Sequence, residues 1–307
     1  MPNGVGREEI IDGSSNRRSL ADPAGRPICD HARVSERGRV ATFEAGAGSA
    51  RLFARHESLA ASSAALPDGA YTTFRTYGGR RVLRLESHLG RLEESVGLQG
   101  GSGTIDRRAA RAALASALDA TGHAESRVRL TFAPPRLFAA VEAFAPLPPE
   151  AYERGVACVT VDVRRENPRA KDTRFIAAAQ GAYGRLPAGI DEGLIVDGDG
   201  AVLEGLSSNF FAVLEGTLRT EGERVLLGVT RGLVLEVAAG VLRVDPRAVT
   251  RDELPAVAEA FVTSVSREVL PVVRIDGRPV GDGRVGSATR AVMAGFAALV
   301  EHEAERI

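Results

Sequence analysis

Asn167-Pro168-Arg169-Ala170-Lys171-Asp172-Thr173 holds the single lysine of a 307-residue chain. Of its 39 Lys and Arg side chains, 38 are arginine. Surface charge tolerates that replacement. A site that needs a primary amine does not, because guanidinium stays protonated and is a poor nucleophile, whereas a desolvated lysine amine can lose its proton. Residues 156–163 before this stretch read as a strand and residues 175–186 after it as a helix, so Lys171 lies in a strand-to-helix connection. An amine in that position can form a Schiff base with an aldehyde cofactor.

Such a cofactor, pyridoxal phosphate, makes three further demands: a carboxylate at its ring nitrogen, a cup for its phosphate, and a side chain packed on its ring. Glu204 is a candidate for the first. It ends a hairpin strand and precedes Gly205-Leu206-Ser207-Ser208-Asn209-Phe210-Phe211, where small polar residues allow close backbone approach. Gly228-Val229-Thr230-Arg231 opens a helix at a glycine, so free N–H groups and a Thr hydroxyl converge on one spot. Arg91, in His88-Leu89-Gly90-Arg91-Leu92, is a further cation away from an apolar helix stripe. Each feature alone has a structural reading: a turn carboxylate, a capped helix, a solvated charge.

Working outward, both halves of the chain read as α+β. Tyr71-Thr72-Thr73-Phe74-Arg75-Thr76-Tyr77 is a strand that Gly78-Gly79 turns into a second. Ser87 is expected to open a helix with Leu89, Leu92 and Val96 on one side, and Asp106 to cap another over residues 107–120. Two strands follow around Pro134-Pro135. Ala145-Pro146-Leu147-Pro148-Pro149 reads as a linker. The expected division is an N-terminal extension over residues 1–66, partly disordered up to about Pro23, with order starting near Leu66; a small α+β domain over 67–145; a linker over 146–152; and a larger α+β domain over 153–307. In the last, hairpins and helices intermix without regular βαβ alternation. Ser287 is expected to cap the terminal helix, with Val292, Phe296, Leu299 and Val300 on one face.

Composition narrows the function classes. With 44% hydrophobic and 26% charged residues, the chain reads as an ordinary globular protein. The net charge of −1 offers no field for nucleic acid or an anionic membrane. No apolar run is long enough for a spanning helix and no secretory leader is seen, so a cytoplasmic setting is expected. Cys29 and Cys158 fit neither a disulfide framework nor metal-ligand spacing, and His31, His56, His88, His123 and His302 are scattered, so no metal site is expected. The single lysine sits outside any Gly-x-x-x-x-Gly-Lys loop, which excludes a P-loop.

The order of these pieces resembles the class IV, fold type IV pyridoxal-phosphate enzymes. That family includes branched-chain aminotransferase, D-amino acid aminotransferase and 4-amino-4-deoxychorismate lyase. The similarity runs through Gly69-Ala70-Tyr71, His88 to Leu92, Lys171, Asp191-Glu192-Gly193, Glu204-Gly205 with Ser208-Asn209-Phe210, Leu226 to Arg231, and Phe261 to Pro271. It implies a fold of two α+β domains with pyridoxal 5'-phosphate between them, in a homodimer whose neighbouring subunit completes the site. It implies Lys171 as the Schiff-base and proton-shuttling residue, Glu204 at the ring nitrogen, and Arg91, Val229, Thr230 and Ser266 at the phosphate. Leu226 is implied to pack on the ring, and Tyr71, Thr73 and Arg136 to meet substrate.

Three features depart from the family pattern. Phe175 and Ile176 stand where many members carry a tyrosine, leaving Arg174 as a substitute. Val265 replaces a common phosphate-binding threonine, leaving Ser266. The loop that often supplies a carboxylate-binding arginine is shortened to Pro134-Pro135-Arg136, so Arg136, Arg129 or a partner-subunit residue is left to bind the carboxylate. The implied activity is transfer of an amino group between an amino acid and a 2-oxo acid. One alternative is a lyase releasing pyruvate and 4-aminobenzoate from aminodeoxychorismate; another is a cofactor-free binding protein on the same fold.

Overall fold

Ala70–Tyr77 alternates strictly between buried and half-exposed residues, with Ala70, Thr72, Phe74 and Thr76 inward, as a strand with one covered face must. A computed structural model of the chain describes residues 39–165 and 167–307. Within them this strand is β3, after β1 (Val40–Ala45), β2 (Ala50–His56) and helix α1 (Leu59–Ala64). The expectation that order starts near Leu66 is therefore corrected. Strand β1 is buried through Val40, Ala41, Thr42 and Phe43 and belongs to the first sheet. Cys29, His31 and the segment expected to be disordered up to Pro23 lie outside the described residues.

The rest of this half comprises β4 (Arg81–Val82), α2 (Leu85–Leu98), α3 (Arg107–Thr121), β5 (Ser126–Ala133) and β6 (Arg136–Ala143). The sheet runs β4-β3-β5-β6-β1-β2, and the C-terminal strand Glu305–Arg306 returns to pair with β4. Leu85, Leu89, Leu92 and Val96 of α2 and Leu114 and Leu118 of α3 share one core with Phe74, Val128 and Phe132. Asp106 caps α3 as expected, accepting from the amides of Arg108 and Ala109. Ser87 does not open α2. The helix begins at Leu85, after Arg84 in the left-handed region at φ 51°, with no side-chain cap.

The chain crosses to the second half through α4 (Pro149–Arg154). There follow β7 (Val156–Val161), α5 (Phe175–Tyr183), β8 (Glu192–Val196), β9 (Val202–Gly205), β10 (Asn209–Leu214), β11 (Thr217–Arg219), α6 (Val229–Ala238), β12 (Arg243–Asp245), β13 (Glu259–Ser264), β14 (Glu268–Ile275), β15 (Arg278–Pro279) and α7 (Ser287–Glu303). Every residue of β8 and β10 is buried, the mark of strands covered on both faces. Strand β7 pairs parallel with both β8 and β14, so the sheet is mixed rather than built of hairpins alone. Glu204 on β9 pairs with Asn209 on β10, which closes β10, β13, β14, β7, β8 and β9 into a ring. Helices α6 and α7 pack on its outer face through Leu233, Val234, Val292 and Phe296 against Phe211 and Phe261. The N-terminus of α7 is held by the Glu259 carboxylate, which accepts from the amides of Ala288 and Thr289, and not by a Ser287 cap.

Candidate active site

Lys171 is fixed from its backbone outward. Its carbonyl accepts from the amide of Tyr71 at 2.9 Å and its amide donates to Ser95 Oγ at 3.2 Å. Asp172 next to it forms a bridge with Ala70. The connection before α5 is thus laced onto the start of β3. Gly69 lets the chain pass there, since a Cβ at that position would lie 2.4 Å from the carbonyl oxygen of Phe132. The Lys171 Nζ ends 4.8 Å from the centroid of the Tyr71 ring. Burial, then Arg91, Arg165 and Arg129, push the amine down to about 7, with Glu204 opposing. A large fraction of this amine is unprotonated at neutral pH.

Glu204 is 3% exposed, at the ring closure. Its Oε1 accepts from Arg165 Nη1 at 2.7 Å. Its Oε2 accepts from the amide of Leu226 at 3.2 Å and from Asn209 Nδ2 at 3.3 Å. Burial pushes the carboxyl up; Arg165, the Leu226 amide and Lys171 oppose it. Asn209 Nδ2 also donates to the Leu226 carbonyl at 2.7 Å, so one amide side chain ties Glu204 to the segment leading into α6.

That helix starts after Gly228 with no side-chain cap, leaving the amides of its first turn without an intrahelical or side-chain partner. Thr230 is buried, and Arg91 Nη2 reaches the same segment by donating to the Leu227 carbonyl. Desolvation pushes Arg91 down to about 10. Val229, Thr230, Val265 and His88 line one cavity of about 20 Å³, which sets the turn after β13 beside the start of α6. Ser266 lies half-buried in that turn. Burial, with Arg91 and Lys171 nearby, holds His88 well below the ordinary imidazole range, so it is neutral. Its Nδ1 is 2.7 Å from Thr72 Oγ1.

The expected substrate residues separate. Tyr71 lies beneath the Lys171 amine. Thr73 Oγ1 accepts from Arg129 Nε at 3.3 Å. Arg136 is engaged elsewhere: its Nε donates to Glu44 at 2.7 Å, and its guanidinium stacks over Phe138. Arg129 is instead the half-buried cation next to Tyr71, with Cζ 4.9 Å from the ring centroid. Its Nη1 donates to Leu59 O and Ser63 Oγ. Arg174 also leaves the site. Its side chain is 67% exposed and pairs with Asp172. Arg165 was not singled out from the sequence, because nothing local distinguishes it among 38 arginines.

The amino-transferase class IV family profile matches residues 69–275, and the chain belongs to that family. It is 34% identical over 167 residues to a branched-chain-amino-acid aminotransferase of Pseudomonas aeruginosa, covering 51% of this chain and 53% of that protein. It is 37% identical over 103 residues to a D-alanine aminotransferase of Staphylococcus aureus, covering 33% of this chain and 36% of the relative. The match to the first relative thus spans about half of its length. The fold is that of a T.th. branched-chain amino acid aminotransferase solved with pyridoxamine 5'-phosphate, with a TM-score of 0.70 at 22% identity over 87% of this chain and 96% of that one. The fold is thus fold type IV, α+β. Among the described residues no helix is long and apolar enough to cross a membrane.

Proposed function

We propose that this chain is a pyridoxal 5'-phosphate-dependent aminotransferase that moves an amino group between an amino acid and a 2-oxo acid, acting as a homodimer. The reading rests above all on the Lys171 amine, which burial and three arginines bring to about 7. An amine in that state is a nucleophile toward a carbonyl and an acid–base group near neutral pH.

The residues around it suit the cofactor in charge and in unused bonding capacity. Arg91 and Arg129 are half-buried, desolvated cations, and among the described residues neither forms a salt bridge with a carboxylate. Such a chamber favours anions, here a phosphate and a substrate carboxylate. The amides of Val229 and Thr230, the Thr230 hydroxyl, Arg91 and Ser266 would hold the phosphate. Glu204 would hold the ring nitrogen and Leu226 would pack on the ring. When bound, the cofactor supplies an aldehyde for amine exchange and an electron-poor ring that acidifies the substrate Cα–H. Lys171 then carries the proton at that carbon, and Tyr71 confines its amine. Arg129, not Arg136, is proposed to orient the substrate carboxylate over Tyr71.

Purified protein titrated with pyridoxal 5'-phosphate should develop a visible absorption band that disappears in Lys171→Ala. Among amino donors screened as both enantiomers, the true donor should convert that band, and a 2-oxo acid should restore it. Release of pyruvate and 4-aminobenzoate from aminodeoxychorismate without band conversion would overturn the aminotransferase reading.

A further inference from the structure

Arg165 lies in the segment between β7 and Lys171, and its guanidinium is spent on three neighbours. Nη1 donates to Glu204 Oε1 at 2.7 Å, and Nη2 donates to the carbonyl of Ala170 at 3.0 Å. Its Cζ stands 4.6 Å from the centroid of Phe175, the residue found where the family pattern led to a tyrosine. One planar cation therefore touches the carboxylate, the residue before the reactive lysine and the first turn of α5. The ion pair is sequestered, with side chains 11% and 4% exposed.

The hydrogen-bond inventory of Glu204 gives this contact its meaning. An ionised carboxylate has about four acceptor positions. Leu226 N and Asn209 Nδ2 take both on Oε2, and Arg165 takes one on Oε1. One position on Oε1 remains for a ligand donor. We propose that Arg165 is a positioning residue, which holds Glu204 as an ionised carboxylate with a single acceptor position left for the ring nitrogen of the cofactor. Burial works against ionisation, and the charges opposing it include Arg165 and Lys171; Arg231 also lies within electrostatic reach of Glu204. Lys171, brought down to about 7, is only partly protonated near pH 7, so Arg165 is the charge that persists beside Glu204 across the neutral range. A neutral Glu204 would lose its pull on a protonated ring nitrogen. Phe175 then has a definite use: its face carries the guanidinium at low cost in desolvation.

The inference rests on the reading of the site as a pyridoxal phosphate chamber, and the test separates the two. Affinity for pyridoxal 5'-phosphate is measured by equilibrium titration of the full-length chain, stripped of cofactor, as wild type, R165K, R165M, E204Q and the R165M/E204Q double variant. Circular dichroism verifies folding, and borohydride reduction with peptide mass analysis verifies attachment at residue 171. R165M should weaken binding about tenfold or more, as expected for a buried charge-assisted bond. R165K should recover most of that loss. In the E204Q background R165M should cost under about twofold, because the two residues act as a unit. A packing role predicts the reverse: methionine would cover Phe175 as well as lysine does, and its cost would persist in E204Q. Wild type without affinity for the cofactor sinks the reading of the site. Wild type that binds, with R165M equal to it, R165K no better than R165M, or costs that add in the double variant, overturns the role of Arg165. R165Q provides the same comparison if R165M does not fold.

Discussion

Tyr71 holds Lys171 twice: its backbone amide donates to the lysine carbonyl at 2.9 Å, and its ring centroid lies 4.8 Å from the lysine Nζ. Strand β3 of the first half thereby sets both the position and the direction of the reactive amine. Tyr71→Ala should leave the backbone bond intact and remove only the ring. The expected outcome is a drop in turnover of about tenfold with little change in cofactor affinity, because orientation and not binding is lost. Stopped-flow half-reactions and cofactor titration check the two separately.

The depressed amine carries a stability consequence whose sign follows from linkage. An unfolded lysine keeps its proton up to about 10.4, whereas folded Lys171 releases it at about 7. The unfolded chain binds more protons between those values, so the stability of the cofactor-free protein should rise with pH across that window. Below about pH 7 the folded state bears the full penalty of a buried ammonium. Lys171→Met should therefore stabilise the cofactor-free protein by about 1–3 kcal/mol at pH 6.5, and less toward pH 10. Urea unfolding at a series of pH values measures the difference.

Arg129 should separate substrate binding from cofactor binding. Its Nε and Nη1 are committed to Thr73, Leu59 and Ser63, which fix the guanidinium beside Tyr71. Arg129→Met should raise KM for the amino donor by about 10–100-fold, the worth of a charge-assisted bond to carboxylate, while cofactor affinity changes little. Arg136→Met, remote from this cluster, should leave KM unchanged. Steady-state kinetics on the pair discriminate between them.

What could be read from the sequence follows the range of the interactions involved. Asp106 caps its own helix and Lys171 is marked by being solitary, so both are local signals. Strand β1 is different: its partner is β6, with Ala41 opposite Val141, and a Gly- and Ser-rich flank hides it. The start of α7 is held by Glu259 on another strand, so Ser287 was a misleading cue. Arg174 sits one turn from Lys171 in sequence, but α5 turns it to solvent. Arg165 and Arg129 acquire meaning only through Glu204 and Tyr71, which the ring closure and the β3–β5 pairing bring to them. The second half's parallel pairing was likewise beyond hairpin-by-hairpin reading.

Behind Glu204 lies a second buried pair. Glu192 is fully buried and accepts from Arg267 Nη2 at 2.7 Å, Tyr183 Oη at 2.6 Å and Ser208 Oγ at 2.8 Å. Arg267 Nη2 also donates to Ser207 Oγ at 2.9 Å. The network ties α5, the turn after Glu204 and the turn carrying Ser266 to one point. Burial alone would raise the Glu192 carboxyl; Arg267, Tyr183 and Ser208 outweigh it and hold the group below the ordinary value. Its stabilisation is therefore present above the ordinary carboxylate range and lost as pH falls through the folded value. Arg267→Met should cost about 3–5 kcal/mol, because it strands a buried carboxylate, and should remove part of the acid sensitivity of unfolding.

Gly228 offers a test of the α6 anion cup that leaves its charges in place. Its φ of −57° and ψ of 140° suit any residue, so alanine meets no backbone strain there. The obstacle is steric: a Cβ would stand 2.4 Å from Asn209 Oδ1, and Asn209 is the side chain that joins Glu204 to the Leu226 carbonyl. Gly228→Ala must push that amide aside, loosening the carboxylate and shifting the first free amides of the helix together. Cofactor affinity should fall about a hundredfold or more, about 3 kcal/mol, while stability without cofactor should fall by only about 1 kcal/mol. If the two losses are equal in free energy, the glycine serves packing alone. A loss concentrated in cofactor binding means the close approach of Asn209 exists to shape the cup.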